Sequence, residues 1–274
     1  MTHITRKIDE GNMKRAYVEI SEGQMHFRFE GNGETIILLH MAVASSDEFS
    51  RAMHFLSRRY RAIALDFMGT GDSDPAPRQY DVMDHARTVI SFMDALGIKR
   101  TNIVGQLLGG HIGAEIAINW PKRVNKLVIA GPGYFEEDEA SALKKPVNFT
   151  TTVELKKDGS HLLEWWRRAC LWGDHPVEIL EERFIEYVKA GPRGEEAHWA
   201  GGIYNLKPRL SLIPCPTLVL DATYYLFHRQ AQEVKNIIPN SKLITIKNGT
   251  MYVDRTMPEE FATAILNFLD APRA

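Results

Sequence analysis

The chain has 274 residues, 44% hydrophobic and 25% charged, with a formal charge of −2 from 33 basic and 35 acidic side chains. That is enough for a large α/β domain with a sizeable core, and the balance argues against disorder. No basic surplus exists to drive sequence-independent nucleic-acid binding, and two cysteines, Cys170 and Cys215, make no disulfide framework.

Residues 1–15 are polar and charged, without the apolar stretch of a signal peptide. The longest apolar stretch, residues 35–44, falls far short of the roughly 20 residues that a bilayer crossing takes. A cytoplasmic protein that engages neither membrane nor nucleic acid is expected. Residues 17–20 and 25–29 read as an antiparallel hairpin around turn residues 21–24. Residues 35–40 form a continuous apolar run, the mark of a strand buried on both faces. Residues 61–66, 102–104, 126–130, 217–221 and 242–247 repeat that mark. Helical periodicity lies between them, at 48–57, 82–96, 110–120, 229–238 and 258–269. Pro258 followed by Glu259 and Glu260 suits a helix's first turn, where Pro is tolerated and acids meet the positive end of the dipole. The alternation predicts a mostly parallel sheet covered on both faces.

From 132 to 209 no buried strand appears. Helical pieces at 161–171, with Trp165 and Trp166, and at 177–190 predict an inserted helical subdomain that doubles as a lid. The expected division is a core of 15–131 and 211–272 with a cap of 132–210.

Residues 102–114 read NIVGQLLGGHIGA: a strand into Gly105, then Gln106, Leu107 and Leu108, then Gly109 and Gly110 opening a helix. This is the strand–turn–helix frame of a nucleophile elbow, with small residues where the turn is tight. Upstream, Leu38, Leu39 and His40 precede Ser45 and Ser46, and Asp66 opens DFMGTGDS. Downstream come Ile213 to Leu220 (IPCPTLVL), then Asn248, Gly249 and Thr250, then Met257 to Phe261 (MPEEF). In this order, over about residues 15 to 270, these segments resemble the α/β-hydrolase superfamily with a helical cap. The resemblance implies the α/β-hydrolase fold: a mostly parallel central sheet, helices on both faces and an inserted helical cap.

Departures from that pattern fall at the reactive positions. The elbow residue is Leu107, the acid position falls on Tyr225, the histidine position on Thr250, and the Gly after the loop histidine is Met41. Without nucleophile, base and orienting acid at those places, no covalent acyl-enzyme is expected. The backbone N–H groups of Leu108 and of Met41, or of Ala42 beside it, are expected to persist as an oxyanion hole. What remains suits cofactor-independent, non-hydrolytic acid–base chemistry on a small hydrophobic aromatic or carbonyl compound: elimination, isomerisation, decarboxylation or retro-aldol cleavage. A non-catalytic binder of a hydrophobic ligand, and an ester, lactone or C–C hydrolase with another catalytic set, stay open.

Asp254, Asp221 and His228 are the candidate acid–base groups. His40, Met68, Gln106 and Leu107 are candidate pocket residues from the first half of the chain. Tyr224, Tyr225, Thr250, Met251 and the cap's Trp165 are candidates from the second. An apolar pocket of this kind raises the pKa of a carboxylate inside it. No H-x-x-x-H or C-x-x-C spacing occurs, so neither metal nor cofactor is expected. A small hydrophobic molecule is the expected partner, with a homodimer left open.

Overall fold

A computed structural model of the chain describes residues 13–134, 153–170 and 175–272. Residues 1–12 of the N-terminal reading, 135–152 and 171–174 of the expected cap, and 273–274 lie outside the described residues. Eight strands form one sheet in the order β1-β2-β4-β3-β5-β6-β7-β8. They are β1 (Lys14–Ile20), β2 (Gly23–Glu30), β3 (Thr35–Leu39), β4 (Arg61–Leu65), β5 (Thr101–Gln106), β6 (Val124–Ala130), β7 (Thr217–Tyr224) and β8 (Ser241–Thr250). β1 and β2 are antiparallel, and β2 runs antiparallel to β4; every later pairing is parallel. The fold class read from the alternation is therefore the one present.

The central strands are buried on both faces, which is why they read as unbroken apolar runs. On one face, α2 (Val82–Ala95), α3 (Leu108–Asn119) and α7 (Ala231–Ile237) pack against Ile37, Ile63, Ile103 and Val219. On the other, α1 (Ser50–Leu56) and α9 (Pro258–Asp270) cover Leu38, Ala64, Val104 and Leu220. α2 opens with a capping box: Asp81 accepts from the Asp84 amide at 2.8 Å, and Asp84 accepts from the Asp81 amide at 3.2 Å. Observed helices differ from the predicted ones by a residue or two at most ends, where fraying and caps blur the period.

Between β6 and β7 lie α4 (Ser160–Ala169), α5 (Val177–Ala190) and α6 (Glu195–Ile203). α6 was not legible in the periodicity: its run EEAHWAGGI has two interior glycines and a weak apolar stripe. The insertion meets the core in two ways. Trp165, Ala169, Tyr187 and Val153 pack on Val43 in the loop after β3. Arg183 of α5 donates to the Val43 carbonyl at 2.8 Å and pairs with Glu186 at 2.5 Å. Arg255, in the short helix α8 (Val253–Thr256), reaches Glu182 and Glu186 of α5, both at 2.8 Å. No helix among the described residues is long and apolar enough to cross a membrane.

Candidate active site

The bend between β5 and α3 is sharp. Leu107 sits at φ 47°, ψ −110°, a left-handed backbone that a residue with a Cβ adopts only at a cost. Its N–H donates to the Ala130 carbonyl at 3.0 Å, which ties the bend to β6. A Cβ on Gly105 would collide with the Gly109 backbone, and one on Gly109 with the Leu39 carbonyl. The elbow frame is thus present, and its apex carries a half-buried aliphatic side chain. Leu108 begins α3, so its N–H is one of the helix's free N-terminal donors.

The loop after β3 is arranged differently from the expectation. The Met41 N–H donates to Glu48 Oε2 at 2.9 Å, so it is spent and cannot serve an oxyanion. Ala42, the next residue, forms no hydrogen bond through its N–H among the described residues; its carbonyl accepts from Arg183 at 3.3 Å. The surviving pair of backbone donors is therefore Ala42 and Leu108.

His40 is fully buried and saturated. Its Nδ1 donates to the Met41 carbonyl at 2.7 Å, and its Nε2 accepts from the Phe67 N–H at 3.1 Å with Thr70 Oγ1 also at 3.1 Å. Burial lowers its pKa, so the ring is a neutral brace between two loops and is closed to solvent. Asp66 does parallel work. It holds His26 at 2.8 Å and accepts from the amides of Ser46 and Asp72 at 2.5 and 2.7 Å. Burial opposes its charge, but the His26 and backbone hydrogen bonds outweigh that and pull its pKa to about 2. His26, Asp66 and Asp72 have ligand atoms close enough for a metal ion. Asp66 is already committed to those donors and Lys189 sits on Asp72 at 2.5 Å, so this trio does not fit a cation site.

Gln106, just before the bend, donates to the Met251 carbonyl at 2.9 Å and to Asp254 Oδ1 at 3.1 Å. Asp254 is wholly enclosed, with Arg255 4.0 Å from its other oxygen. Burial pushes its carboxyl up to about 6, against the pull of Arg255 and Gln106. Glu48 is raised well above the usual range, by burial first and by the Asp254 charge next. Asp254 faces no solvent, so the expectation that it works as a base in an apolar ligand pocket is corrected; it belongs to the ion network under the bend.

Asp221 and His228 are brought together. His228 Nδ1 lies 2.6 Å from Asp221 Oδ2, which also accepts from Thr245 Oγ1 at 3.1 Å. Asp221 is buried, whereas the His228 side chain is 44% exposed. A carboxylate on Nδ1 fixes that proton and leaves Nε2 as the basic nitrogen. The His228 N–H donates to the Tyr225 carbonyl at 3.1 Å.

Tyr225 is buried against Gly131, where any Cβ would strike its ring, and its hydroxyl has no hydrogen-bond partner among the described residues. Tyr224, the last residue of β7, is 67% exposed, whereas Tyr225 lies in the turn that follows, its N–H donating to the Ala222 carbonyl at 2.9 Å. Thr250 ends β8 and accepts from the Tyr252 N–H at 3.3 Å. Met251 is buried, and its carbonyl is what Gln106 holds. Trp165 is buried in the insertion's own apolar cluster. Met68 lines a cavity of about 280 Å³ between the loop after β4 and the α5–α6 junction. Sequence reading passed over Glu48, Arg183, Glu186 and Arg255, because charged residues on amphipathic helices ordinarily face water. It also passed over His85, although 82, 85, 86 and 89 share one buried helical stripe.

The α/β-hydrolase fold family model matches residues 34–168. A 2-hydroxy-6-oxononadienedioate/2-hydroxy-6-oxononatrienedioate hydrolase of Paraburkholderia xenovorans (strain LB400) is 34% identical over 250 residues, covering 80% of this chain and 82% of that protein. A 2-hydroxy-6-oxo-6-phenylhexa-2,4-dienoate hydrolase of Comamonas testosteroni is 33% identical over 143 residues, 48% of each chain, so this second match spans about half of that relative. Among solved structures, the enol-lactonase from Burkholderia xenovorans LB400 superposes with a TM-score of 0.74 at 18% identity, over 93% of this chain and 100% of that one. The chain belongs to the α/β-hydrolase superfamily, and several of its matched members are named as hydrolases. Those relatives overturn the expected non-hydrolytic chemistry. Loss of the side-chain nucleophile was read as loss of hydrolysis, although water itself can be the nucleophile.

Proposed function

We propose that the chain hydrolyses a small carbonyl compound, an ester, lactone or cleavable ketone, by adding water directly to the carbonyl carbon. The observation that carries this reading is the strained elbow at Leu107. A left-handed non-glycine backbone costs on the order of 1 kcal/mol or more. Leu107 cannot attack a carbonyl, so what the strain still provides is backbone: the Leu108 N–H at the head of α3, opposite the loop that carries the Ala42 N–H. Two such donors suit the oxyanion of a tetrahedral intermediate. His228 takes the proton from the attacking water through Nε2 while Asp221 holds Nδ1. The hydroxide oxygen bonds to the carbonyl carbon, the bond to the leaving oxygen or carbon breaks, and the proton on His228 passes to the leaving atom. No step forms a bond between protein and substrate. The names of the relatives support the substrate class.

The test is turnover of p-nitrophenyl esters and 2-hydroxy-6-oxo-dienoates, with rapid-quench intact mass on the same samples. Turnover without an acyl adduct, and no mass gain from a fluorophosphonate, is the expected result. His228→Gln should lower kcat about 100-fold or more, the usual range for a general base. Stoichiometric fluorophosphonate labelling, or no turnover across the panel, overturns the reading.

A further inference from the structure

The cavity of about 280 Å³ has one wall from the core and one from the insertion. Met68, Ala76, Tyr80 and His85 line it from the core; Ala190 and Ala197 line it from the insertion. No residue of the elbow, of the Asp221–His228 pair or of the Ala42 loop borders it.

The charged side chains of this cavity and the Thr70 and Ser73 hydroxyls are spent. Thr70 donates to the Phe67 carbonyl at 2.9 Å and Ser73 to the Asp66 carbonyl at 2.8 Å. Arg193 is held by both oxygens of Glu196, at 2.7 and 2.8 Å, and Lys189 by Asp72 at 2.5 Å. The rim is thereby neutral pair by pair. His85 is not: it is 4% exposed, its sealed Nδ1 has no hydrogen-bond partner among the described residues, and none of them bonds its Nε2, the nitrogen left for the cavity. Its ring lies 5.2 Å from Phe67 and 5.4 Å edge-on to Tyr80, so the imidazole is clamped by aromatic neighbours. Burial, with the nearby His40, lowers its pKa to about 4, so it meets the cavity uncharged at neutral pH. A buried imidazole without a partner is unfavourable unless something completes its hydrogen bonding.

We propose that this cavity is a binding site, separate from the hydrolytic centre, for a small uncharged aromatic compound carrying one hydroxyl group, which hydrogen-bonds to His85. The apolar lining takes the ring, the aromatic clamp faces its edge, and the self-neutralised rim offers nothing to a free charge. A charged ligand would have to break an ion pair to gain one.

Phenol is the probe, titrated into the intact chain while the ¹⁵N resonances of the His85 ring are followed. Saturable shifts at about millimolar phenol are expected for a ligand of this size. His85→Phe keeps the ring and removes the acceptor, and should weaken binding about tenfold, the value of one hydrogen bond. Ala190→Trp fills the cavity from its half-buried rim and should abolish binding. Both variants should retain ester turnover, since neither residue belongs to the hydrolytic centre. Absence of saturable His85 shifts, shifts that persist in Ala190→Trp, or benzoate binding as tightly as phenol would each overturn the proposal. Phenol binding in a chain without hydrolytic turnover would leave this site standing and remove the proposed function instead.

Discussion

Two loop systems at the same end of the sheet contrast sharply. On the β3–β4 side, His40, Asp66, Thr70 and Ser73 are each committed to a named partner. At the bend and on the β7–β8 side, Gln106 Oε1, Tyr225 Oη, Asp221 Oδ1 and Asp254 Oδ2 are buried without a hydrogen-bond partner among the described residues. The first is a brace that preserves the superfamily's backbone. The second is where the reactive positions carry Tyr225 and Thr250, and its polar groups are left for water or ligand to satisfy. The difference teaches that the frame and the chemistry of this chain were under separate physical constraints.

The sharpest way to break that contrast is at Asp66. Asp66→Ala strips partners from His26 and from the amides of Ser46 and Asp72 together. A loss of about 3–5 kcal/mol in urea unfolding is expected, the usual range for breaking a buried charged network. On the other side, Asp221→Asn should leave unfolding within about 1 kcal/mol while lowering ester kcat roughly 10- to 100-fold, because His228 loses the carboxylate that fixes its tautomer. A structural-only pair would change the midpoint and leave kcat.

The acid dependence separates the two sides by sign. Asp66 is depressed to about 2 from an ordinary 3.8, so its stabilisation is present above pH 3.8 and is lost as pH falls towards 2. Asp254 is raised to about 6, so the folded state holds its proton more tightly, and stability falls as pH rises from 3.8 through 6. Asp254→Asn keeps an acceptor for Gln106 and removes that loss. It should therefore stabilise the chain by up to about 3 kcal/mol at pH 8 and have little effect at pH 4. Equal shifts of the thermal midpoint at both pH values would show that Asp254 is not protonated more easily in the fold. The smallest effect is expected at the bend. Leu107→Gly relieves the positive-φ strain and forfeits half-buried packing, so the net change should stay within about 1 kcal/mol in urea unfolding.

Much of the fold was legible because its central strands are buried on both faces and helices such as α2 and α9 on one, so each carries its own period. The elbow was legible for a steric reason: Gly105 and Gly109 stand where backbone meets backbone. The site was legible only in part. Asp221 and His228 were both singled out, yet no spacing rule says that a strand-end carboxylate and a histidine seven residues on will meet at 2.6 Å. Met41 was expected to offer its amide outward, and Glu48 takes it from within. Glu48 reads in sequence as an ordinary acid at the head of a helix. In the fold it is buried and feels the charges of Asp254, Arg255 and Glu186, more than a hundred residues away. Tyr224 and Tyr225 look alike in the chain, and the turn at the end of β7 decided that one is exposed and the other packs on Gly131.

By itself the amino-acid sequence determined the α/β layering, the position of the sharp bend and the aliphatic residue at its apex, because periodicity and steric room are local properties. Only the tertiary structure decided which backbone amides stay free, which carboxylate is sealed away and which is joined to an imidazole. Those outcomes depend on burial and on partners distant along the chain, and both exist only once the sheet and the insertion have come together.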